Sequence, residues 1–546
     1  MDNVFDFRNR LINEYSSFSR SFSKVSAQDI LSKVELEYDR GRYWPEPLIQ
    51  INPNYKRQST VQQLAHEGML HASCSHIFQT GKTEGKAADL HLYVHQLQAL
   101  AKAQKQQSYV VTTGTGSGKS LAFFVPIIDR ILKAKQADPQ KRTRAIVIYP
   151  MNALANSQLE ELDKFLHGYP DDQKPFTVAR YTGQESDADR KQIADNPPDI
   201  LLTNFMMLEL ILTRFEDVDR RVVEHCQGLE FLVLDELHTY RGRQGADVAL
   251  LVRRLRERLQ AHQLVCIGTS ATMSSTGTQA DRNQTVASVA SLLFGAQITE
   301  HDVIGETLER VTNPAKDIEA VKSLLKPALL KESYHWPDFA AFSDDPLAVW
   351  VELSLGIELP LDEPPRRARP VTLGDAAKRL ADDAQCTVED AHAGLQRFLV
   401  AAHDVKTPQG RAPFAFKLHQ FISGPGKVLA TLEPEGVRHI TLDAQRYAPG
   451  RQDEGTQLYP VHFCRDCGQE YHPVWRSGQS QVEYAPREID DISGDDDENA
   501  RYGFLCPAKP GQTYRGSIED LPESWLDLTK AEPKVKSTFR KYVPED

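Results

Sequence analysis

The sequence carries, at residues 113–120, the run Thr-Gly-Thr-Gly-Ser-Gly-Lys-Ser. The apolar stretch Tyr109 to Val111 precedes this run, and the apolar stretch Leu121 to Phe124 follows it. Glycines in such a turn let backbone N–H groups point inward around a phosphate, and the N-terminus of a following helix adds positive potential. A chance Gly/Ser-rich turn is the alternative, but the predicted strand before and helix after the run favour a phosphate-binding loop in an α/β fold.

Two side chains of this loop have predicted roles toward ATP. Lys119 is expected to reach the β- and γ-phosphates, and the Ser120 hydroxyl is expected to coordinate Mg²⁺. Thr113 stands where the strict form of the pattern has glycine. ATP and Mg²⁺ are therefore the predicted cofactors. The loop residues predicted to contact the nucleotide are Thr113, Gly114, Thr115, Gly116, Ser117, Gly118, Lys119 and Ser120.

An acidic pair follows another apolar run further along the chain. Residues 231–234 (Phe-Leu-Val-Leu) lead directly into Asp235 and Glu236. A buried strand that ends in two acids places them at the carboxyl edge of a sheet, where ligands bind in open α/β folds. Asp235 is expected to hold Mg²⁺, Glu236 to polarise the attacking water, and His238 to couple the nucleotide state to the next motif. An acidic strand end is by itself commonly just a polar terminus, and the upstream phosphate loop is what favours catalysis.

Short apolar runs recur between residues 91 and 300 and alternate with amphipathic stretches. The runs are β-branched or aliphatic, and each soon meets Thr, Pro, Asp or Gly. This pattern predicts buried parallel strands with helical crossovers, and hence a three-layer α/β domain. The runs are 109–111, 145–148, 200–202, 231–234 and 264–267.

Composition limits the class of protein. Of 546 residues, 40% are hydrophobic and 26% are charged, which is the balance of a globular chain with a sizeable core. The net charge of −12 argues against coating nucleic acid by bulk electrostatics, although a local groove can still bind a strand. The mixed polar N-terminus is not a secretory signal, and no stretch is long and apolar enough for a membrane span. We expect a cytoplasmic protein without membrane contact.

Four consecutive regions are predicted from changes of pattern. Residues 1–90 form an N-terminal accessory region with helical spacing, and residues 91–312 form the α/β domain. Residues 313–413 are expected to be mainly helical. Residues 414–546 are expected to be β-rich, with a C-x-x-C pair and an acidic loop.

With the phosphate loop and the acidic pair established, the sequence resembles the superfamily 2 helicases of the DEAH type. Residues 270–272 (Ser270, Ala271 and Thr272), just past the run 264–267, are similar to the motif of that family that couples ATP to the nucleic-acid strand. Tyr93 and Gln96 resemble its adenine-recognising Q motif, and threonine at position 113 suits helicase-type loops. The resemblance implies a RecA-like P-loop NTPase domain.

The resemblance also implies contacts with a nucleic-acid backbone. Residues 150–158 look like the first strand-contacting motif of the family, and residues 182–183 and 203–204 match two further positions. Small polar side chains of this kind contact phosphates without reading bases, although each alone is more often a loop or cap residue. The predicted strand contacts are Asn152, Asn156, Gln158, Thr182, Gly183, Thr203, Asn204 and Arg241.

Two stretches, residues 149–158 and 236–246, are similar to the YprA/MrfA-like group of helicases. Residues 305–307 (Gly-Glu-Thr) and 417–421 (Lys-Leu-His-Gln-Phe) look like landmarks of the same group. The group includes bacterial DNA-repair helicases and helicase subunits of anti-phage systems. The resemblance therefore implies an ATP-dependent DNA helicase or translocase, with DNA favoured over RNA and with repair or defence subunits as further partners.

The arginine motif that marks the second RecA-like lobe of the family is not found after residue 300. Arg366, Arg367 and Arg369 are the nearest candidates, and they lack its form. We expect the N-terminal portion of a longer helicase, which binds ATP but hydrolyses it poorly alone. Two alternatives stay open: a non-motor ATP-binding scaffold, and a translocase subunit of a restriction-type system.

A C-x-x-C pair suggests a metal site in the last region. Cys464 and Cys467 have zinc-knuckle spacing, with Cys506 as the expected third ligand. The fourth ligand is open between His462 and His472. A redox pair and two unpaired structural thiols are the alternatives to zinc.

The helix-like stretch after residue 248 carries a basic surface of four arginines. One interpretation is contact with the phosphate backbone. The other is a solvated face or a docking surface for other parts of the chain. These residues are Arg253, Arg254, Arg256 and Arg258, and Arg241 and Arg243 are better candidates for strand contact.

Overall fold

A computed structural model describes most of the chain. The described residues are 3–21, 24–114, 116–271, 278–361, 363–424, 426–478, 482–491, 500–507, 517–518, 521–529, 532–540 and 543. The chain divides into two compact units. The larger unit comprises Gln50–Pro370 and Arg379–Lys417, and the smaller unit comprises Met1–Ile49, Val371–Lys378 and Leu418–Asp546. The predicted contacts at Thr115 and Thr272 lie outside the described residues.

Within the described residues, the larger unit is built around a seven-stranded sheet in the order β7-β1-β6-β5-β2-β4-β3, and every neighbouring pair is parallel. The strands are β1 (Tyr109–Thr112), β2 (Ala145–Tyr149), β3 (Val178–Tyr181), β4 (Ile200–Asn204), β5 (Phe231–Leu234), β6 (Val265–Ser270) and β7 (Val303–Gly305). All five strands that the apolar runs predict are present. The edge strands β3 and β7 were not among them.

Helices connect the strands and cover both faces of the sheet. They are α1 (Val94–Gln104), α2 (Lys119–Ala137), α3 (Asn152–Leu166), α4 (Asp187–Asp195), α5 (Phe205–Thr213), α6 (Asp217–His225), α7 (Gly242–Arg258) and α8 (Gln279–Phe294). Parallel strands need such crossovers, since a tight turn cannot return the chain to the same edge.

Successive residues of each strand contribute to two different hydrophobic cores. In β2, Ala145 and Val147 lie in the core formed with α1, α2 and α3, whereas Ile146 and Ile148 lie in the core formed with α5 to α8. Because side chains alternate across a strand, a sheet covered on both faces must be apolar at every position. The predicted three-layer α/β fold is therefore confirmed.

Shorter elements surround this sheet in the larger unit. Strand Asn54–Tyr55 pairs with Leu308–Glu309, Arg57–Thr60 with His91–Tyr93, Gln79–Thr80 with Ala88–Asp89, and Ile357–Glu358 with Arg366–Arg367. The further helices are Val61–His66, Cys74–Ile77, Ile318–Leu329, Phe339–Ser343, Pro346–Val351 and Val388–Ala402. Helix Leu373–Ala384 spans the boundary between the units.

The smaller unit combines N-terminal helices with a C-terminal antiparallel sheet. Ile30, on the second helix, packs against Val428, Ala430 and Val461 of the sheet. The helices are Val4–Ser21 and Gln28–Asp39, and the sheet strands are Val428–Ala430, Ile440–Thr441, Tyr459–Phe463, Glu470–Ser477, Glu483–Pro486 and Arg501–Leu505. Strand Leu48–Asn52 pairs with Val371–Thr372, Ala415–His419 is a further strand, and Leu526–Asp527 pairs with Lys534–Val535.

Among the helices that the structure describes, none combines the length and the apolar character that a membrane crossing requires.

Replacing Leu232 by alanine tests the central role of β5. Leu232 is fully buried on the sheet face that packs against α5 to α8, so truncation should lower the free energy of unfolding by about 2–5 kcal/mol. The matched control is Leu250→Ala on α7, where the leucine is 60% exposed and the change should be within about 0.5 kcal/mol. Denaturant unfolding measures both, and equal losses would contradict the assignment of Leu232 to the core.

Candidate nucleotide-binding site

The phosphate loop and the acidic pair meet at the carboxyl edge of one sheet. The loop follows β1 and the acids follow β5, and β6 alone lies between these strands. Lys119 Nζ lies 3.3 Å from Glu236 Oε1. The two sequence features that predict a magnesium–nucleotide site therefore lie side by side.

The described part of the loop has the conformation that its glycines permit. Gly116 and Gly118 have φ angles of 80° and 67°, a region that other residues rarely adopt. Gly118 caps the N-terminus of α2, so Lys119 is the first helical residue. The hydroxyls of Thr113 and Ser117 share a hydrogen bond of 2.6 Å across the loop. The threonine at the position of the usual first glycine thus closes the loop internally.

Gln96 contacts the loop from the side of α1. Its Oε1 accepts from the Tyr93 N–H at 2.8 Å, and its Nε2 donates to the Gly118 carbonyl at 2.9 Å. A Cβ at position 118 would lie 2.7 Å from this nitrogen, so glycine allows the contact. His95 Nε2 lies 3.0 Å from the Ser117 carbonyl oxygen, and its ring stacks on Tyr93. Gln96 therefore lies directly against the loop backbone and is bonded to Tyr93, and adenine recognition by these two Q-motif candidates stays a prediction.

The acidic pair is positioned by a neighbouring threonine that the sequence did not single out. The Thr269 hydroxyl, on β6, donates to Asp235 Oδ1 and accepts from the Glu236 N–H at 3.1 Å. Glu236 has a φ of 52°, a strained conformation for a non-glycine residue. Next to Thr269, Gly268 leaves room for Leu237, whose side chain would collide with any Cβ there. Strand packing thus holds the acids in a costly arrangement.

The electrostatic environment of Asp235 suits a bound cation. Burial is the largest cause that raises the pKa of Asp235, and the charge of Glu236 raises it further. The Thr269 hydrogen bond and the Lys119 charge act in the opposite direction without cancelling the rise. Mg²⁺ prefers oxygen ligands, and the Ser120 hydroxyl in the first turn of α2 and the Asp235 carboxylate at the end of β5 can supply them. The donor set therefore fits magnesium.

A series of contacts leads from the loop to the next motif. Beyond the Lys119–Glu236 pair, His238 Nδ1 lies 3.2 Å from Glu236 Oε2, and Ser270 Oγ lies 3.4 Å from the same nitrogen. Ser270 is the last residue of β6, and Ala271 follows it directly. The catalytic residues and the described coupling residues that the sequence predicts thus form one connected group.

The predicted strand-contacting residues also gather at the carboxyl edge, beyond the ends of β2, β3 and β4. Asn204 Nδ2 donates to Asn152 Oδ1 at 2.7 Å and to the Thr182 carbonyl at 3.1 Å. The Asn204 Oδ1 caps α5, and Thr203 Oγ1 donates to the Tyr181 carbonyl at 2.6 Å. These side chains bind the ends of three neighbouring strands together.

Two residues of this region were missed in the sequence. Glu185 accepts from the N–H groups of Thr182 at 2.7 Å and Gly183 at 2.9 Å. Arg180 donates to Glu185 at 2.6 Å and to Asn156 at 2.5 Å. Only the spacing of an acid two residues after Gly183 could have suggested this contact.

The remaining predicted strand contacts are Gln158, Arg241 and Arg243. Arg241 and Arg243 are exposed where α7 begins, and Gln158 is half-buried on α3.

The arginines of α7 mainly contact the protein itself. Arg253 donates to the carbonyls of Ala249 and Leu292, and Arg254 pairs with Glu209. Arg256 donates to the Cys266 sulfur at 3.2 Å. These contacts favour the structural interpretation, while Arg258 remains exposed.

The cysteine pair lies in the smaller unit, in the turn between strands Tyr459–Phe463 and Glu470–Ser477. The Gly468 N–H donates to the Cys464 carbonyl at 2.9 Å, which closes the turn. Cys506 follows strand Arg501–Leu505, which pairs with Glu470–Ser477, so the register brings it to the same end of the sheet.

Nevertheless, among the described residues no group of three or more potential ligands is arranged to hold a metal ion. His472 is almost fully buried, and burial lowers its pKa to about 4, so it is neutral at pH 7. The pKa of His462 is lowered for the same reason. Zinc binding by Cys464, Cys467 and Cys506 stays a prediction.

Comparison with known proteins agrees with this geometry. The family described as DEAD/DEAH box helicase matches residues 93–280. The ATP-dependent helicase YprA of Bacillus subtilis is 34% identical over 186 residues, which cover 34% of this chain and 23% of YprA. The Lhr helicase/uracil glycosylase of Escherichia coli is 32% identical over 186 residues, covering 32% and 12% of the two chains.

Another relative is the Druantia protein DruE of Escherichia coli, which is 26% identical over 293 residues and of which the match covers 16%. The crystal structure of the DUF1998 helicase MrfA bound to DNA is similar at 23% identity, covering 55% of this chain and 37% of that one with a TM-score of 0.36. The chain thus matches less than a quarter of the length of these three curated relatives. Over residues 93–280 the chain is thus similar to the DEAD/DEAH box helicases.

Proposed function

We propose that this chain is the ATP-binding lobe of an ATP-dependent helicase or translocase that acts on nucleic acid, with DNA as the favoured substrate. The contact between Lys119 and Glu236 at one sheet edge is the observation that carries the proposal. Nucleotide hydrolysis needs a lysine at the phosphates and an acid at the attacking water. Here the lysine belongs to the loop after β1 and the acid follows β5, with β6 between the two strands.

The geometry suggests how the lobe responds to ATP. Lys119 is paired with Glu236, and both side chains are largely buried. Phosphates that enter the loop compete for Lys119, and its departure frees the Glu236 carboxylate to polarise a water molecule. Asp235 and Ser120 would hold Mg²⁺, which supplies charge neutralisation at the phosphates when bound. His238 and Ser270 would pass the change of Glu236 toward the strand-contacting edge.

The favoured substrate rests on the relatives and on the polar edge. The named relatives are described as helicases or as a Druantia protein, and the resemblance of residues 149–158 and 236–246 to the YprA/MrfA-like group favours DNA. Asn152, Thr182 and Asn204 present small polar groups at the ends of parallel strands, which suits sequence-independent phosphate contact. A role in DNA repair or anti-phage defence, together with other subunits, completes the proposal.

Two substitutions separate binding from hydrolysis. Lys119→Ala should lower the affinity for MgATP by about ten- to hundredfold, because a charge-assisted contact to the phosphates is lost. Glu236→Gln should bind MgATP at least as tightly as the unmodified chain, because Lys119 no longer has to leave a carboxylate. Titration with a fluorescent ATP analogue measures both affinities. In an assembly that hydrolyses ATP, a phosphate-release assay with DNA should show no hydrolysis by Glu236→Gln.

The control for this titration is Lys105→Ala, which removes an exposed lysine beyond α1. It should bind ATP as the unmodified chain does. Unchanged ATP affinity in Lys119→Ala would contradict the nucleotide site.

Asp235→Asn should be more stable than the unmodified chain without nucleotide, and it should lose this advantage when MgATP is added. The raised pKa of Asp235 means that its charge destabilises the fold at pH 7 when no nucleotide is added, so asparagine should raise the unfolding midpoint by about 1–2 °C. The difference should shrink as the pH falls through the raised pKa, since the carboxyl is then neutral. With MgATP, only the unmodified chain should gain stability. A thermal shift of Asp235→Asn by MgATP equal to that of the unmodified chain would refute the magnesium role.

Asn152→Asp tests the strand-contacting edge. The new carboxylate lies at the N-terminus of α3, where it favours the helix, but it should repel a phosphate. The affinity for single-stranded DNA should fall by about fivefold, or ~1 kcal/mol. Anisotropy with DNA and RNA of matched sequence measures the loss and the preference. The control, Asn196→Asp, lies where α4 ends and should leave affinity unchanged; equal losses would argue against this edge.

A further inference from the structure

A buried arginine lies against the phosphate loop and belongs to none of the motifs discussed so far. Arg367 stands on the short strand Arg366–Arg367, far from the loop in sequence, and its side chain is 13% exposed. Its guanidinium donates to Tyr55 Oη at 2.5 Å, to Glu306 Oε2 at 3.3 Å and to Asn52 Oδ1. A buried charge with three specific acceptors is held in one place.

Glu306 connects this arginine to the loop backbone. The Gly114 N–H donates to Glu306 Oε2 at 3.1 Å, and the same oxygen accepts from Arg367. A P-loop N–H group is thus held by a carboxylate whose charge Arg367 balances. Without the arginine, a largely buried anion would face the loop that has to receive the phosphates of ATP, and like charges in such a place repel strongly.

Gly114 lets the guanidinium lie directly on the loop. A Cβ at this position would lie 2.7 Å from Arg367 Nη2 and 2.8 Å from Cζ, and the three nearest atoms to it all belong to Arg367. Gly114 is not among the glycines with positive φ, so alanine would meet no obstacle in the backbone itself. The arginine is therefore what requires glycine here.

Tyr55 provides a second connection between Arg367 and the loop. Its hydroxyl accepts from Arg367 and also interacts with the Ser117 side chain, which in turn shares a hydrogen bond with Thr113. Burial raises the pKa of Tyr55 to about 12, so the hydroxyl keeps its proton at neutral pH. The guanidinium also lies over the Tyr55 ring, at 5.6 Å from its centroid. Both ends of the loop are thus linked to one arginine.

We propose that Arg367 is a positioning residue for nucleotide binding, which holds Glu306 on the Gly114 N–H and keeps the loop in the shape that receives phosphates. This inference rests on the proposed function. It makes the segment that carries Arg367 part of the nucleotide site, although Arg367 itself need not touch ATP. Because the loop contacts phosphates that ATP and ADP share, its shape affects both nucleotides.

The test measures the affinities of the full chain for fluorescent ATP and ADP analogues. Arg367→Gln should weaken both by about tenfold or more, because glutamine keeps hydrogen-bonding capacity but leaves the Glu306 charge unbalanced. Adding Glu306→Gln to this variant should restore much of the affinity, because the unbalanced carboxylate is then gone. A purely structural role for Arg367 predicts no such recovery, since the second change only removes another contact.

The neighbouring Arg366 provides the matched control. It is exposed and pairs with Glu358 at 2.6 Å, so Arg366→Gln should bind both nucleotides as the unmodified chain does. Gly114→Ala covers the case in which Arg367→Gln does not fold: its methyl group displaces the guanidinium, and both affinities should fall. The added methyl should cost nothing further in an Arg367→Gln background that folds.

Several results would overturn the inference. One is unchanged nucleotide affinity in Arg367→Gln or Gly114→Ala. Another is a loss of affinity confined to ATP, which would indicate direct contact of Arg367 with the γ-phosphate. The third is a double variant that binds nucleotide no better than Arg367→Gln. Failure of the proposed function has a different signature. In that case the unmodified chain does not bind ATP, or Lys119→Ala binds it equally well.

Discussion

The parallel direction of the seven described strands is the constraint on which the site depends. It sends every strand end to one edge, so that the loop after β1, the acids after β5 and the polar ends of β2, β3 and β4 all converge there. The ion pair between Lys119 and Glu236 is a direct contact between two of these converging segments. If β6, which lies between β1 and β5, ran antiparallel to them, its end with Thr269 and Ser270 would lie at the opposite edge, about 17–20 Å from the acids.

The site contains energetically unfavourable features, and the rest of the sheet supplies the stability that offsets them. Glu236 has a positive φ, and burial raises the pKa of Asp235 against its ionised form. Both conditions are unfavourable, and a sheet whose central strands are buried beneath helices on both faces supplies the compensating stability. Thr269 and Gly268 on β6 contribute to this stability. Thr269 forms hydrogen bonds with the acidic pair, and Gly268 leaves room for the adjacent Leu237.

The parts of the fold that follow from local pattern could be predicted, and those that depend on distant contacts could not. The strands β1, β2, β4, β5 and β6 contain continuous apolar runs, whereas the edge strand β3 contains Arg180 and the edge strand β7 is only three residues long. The phosphate loop and the acidic pair each directly follow an apolar run. The sequence alone therefore predicts that both lie at the carboxyl edge of one sheet. Thr269 and Arg367 contact residues that are distant in sequence. The sequence around them does not indicate that Asp235 and Glu306 are their partners. The two compact units consist of interleaved segments, so a division of the sequence into consecutive regions could not predict them.

Two contacts connect the predicted phosphate-binding groups to glutamates. Glu236 pairs with the loop lysine, and Glu185 accepts from the N–H groups of Thr182 and Gly183. In each case a glutamate contacts cationic or N–H groups that sequence motifs predict to meet phosphates. A phosphate at either point has to compete with the carboxylate for these groups, because like charges repel. Under the proposed function this competition gives a physical reason for the two contacts to rearrange when ligands bind, whereas Glu306 stays on the Gly114 N–H and supports the loop.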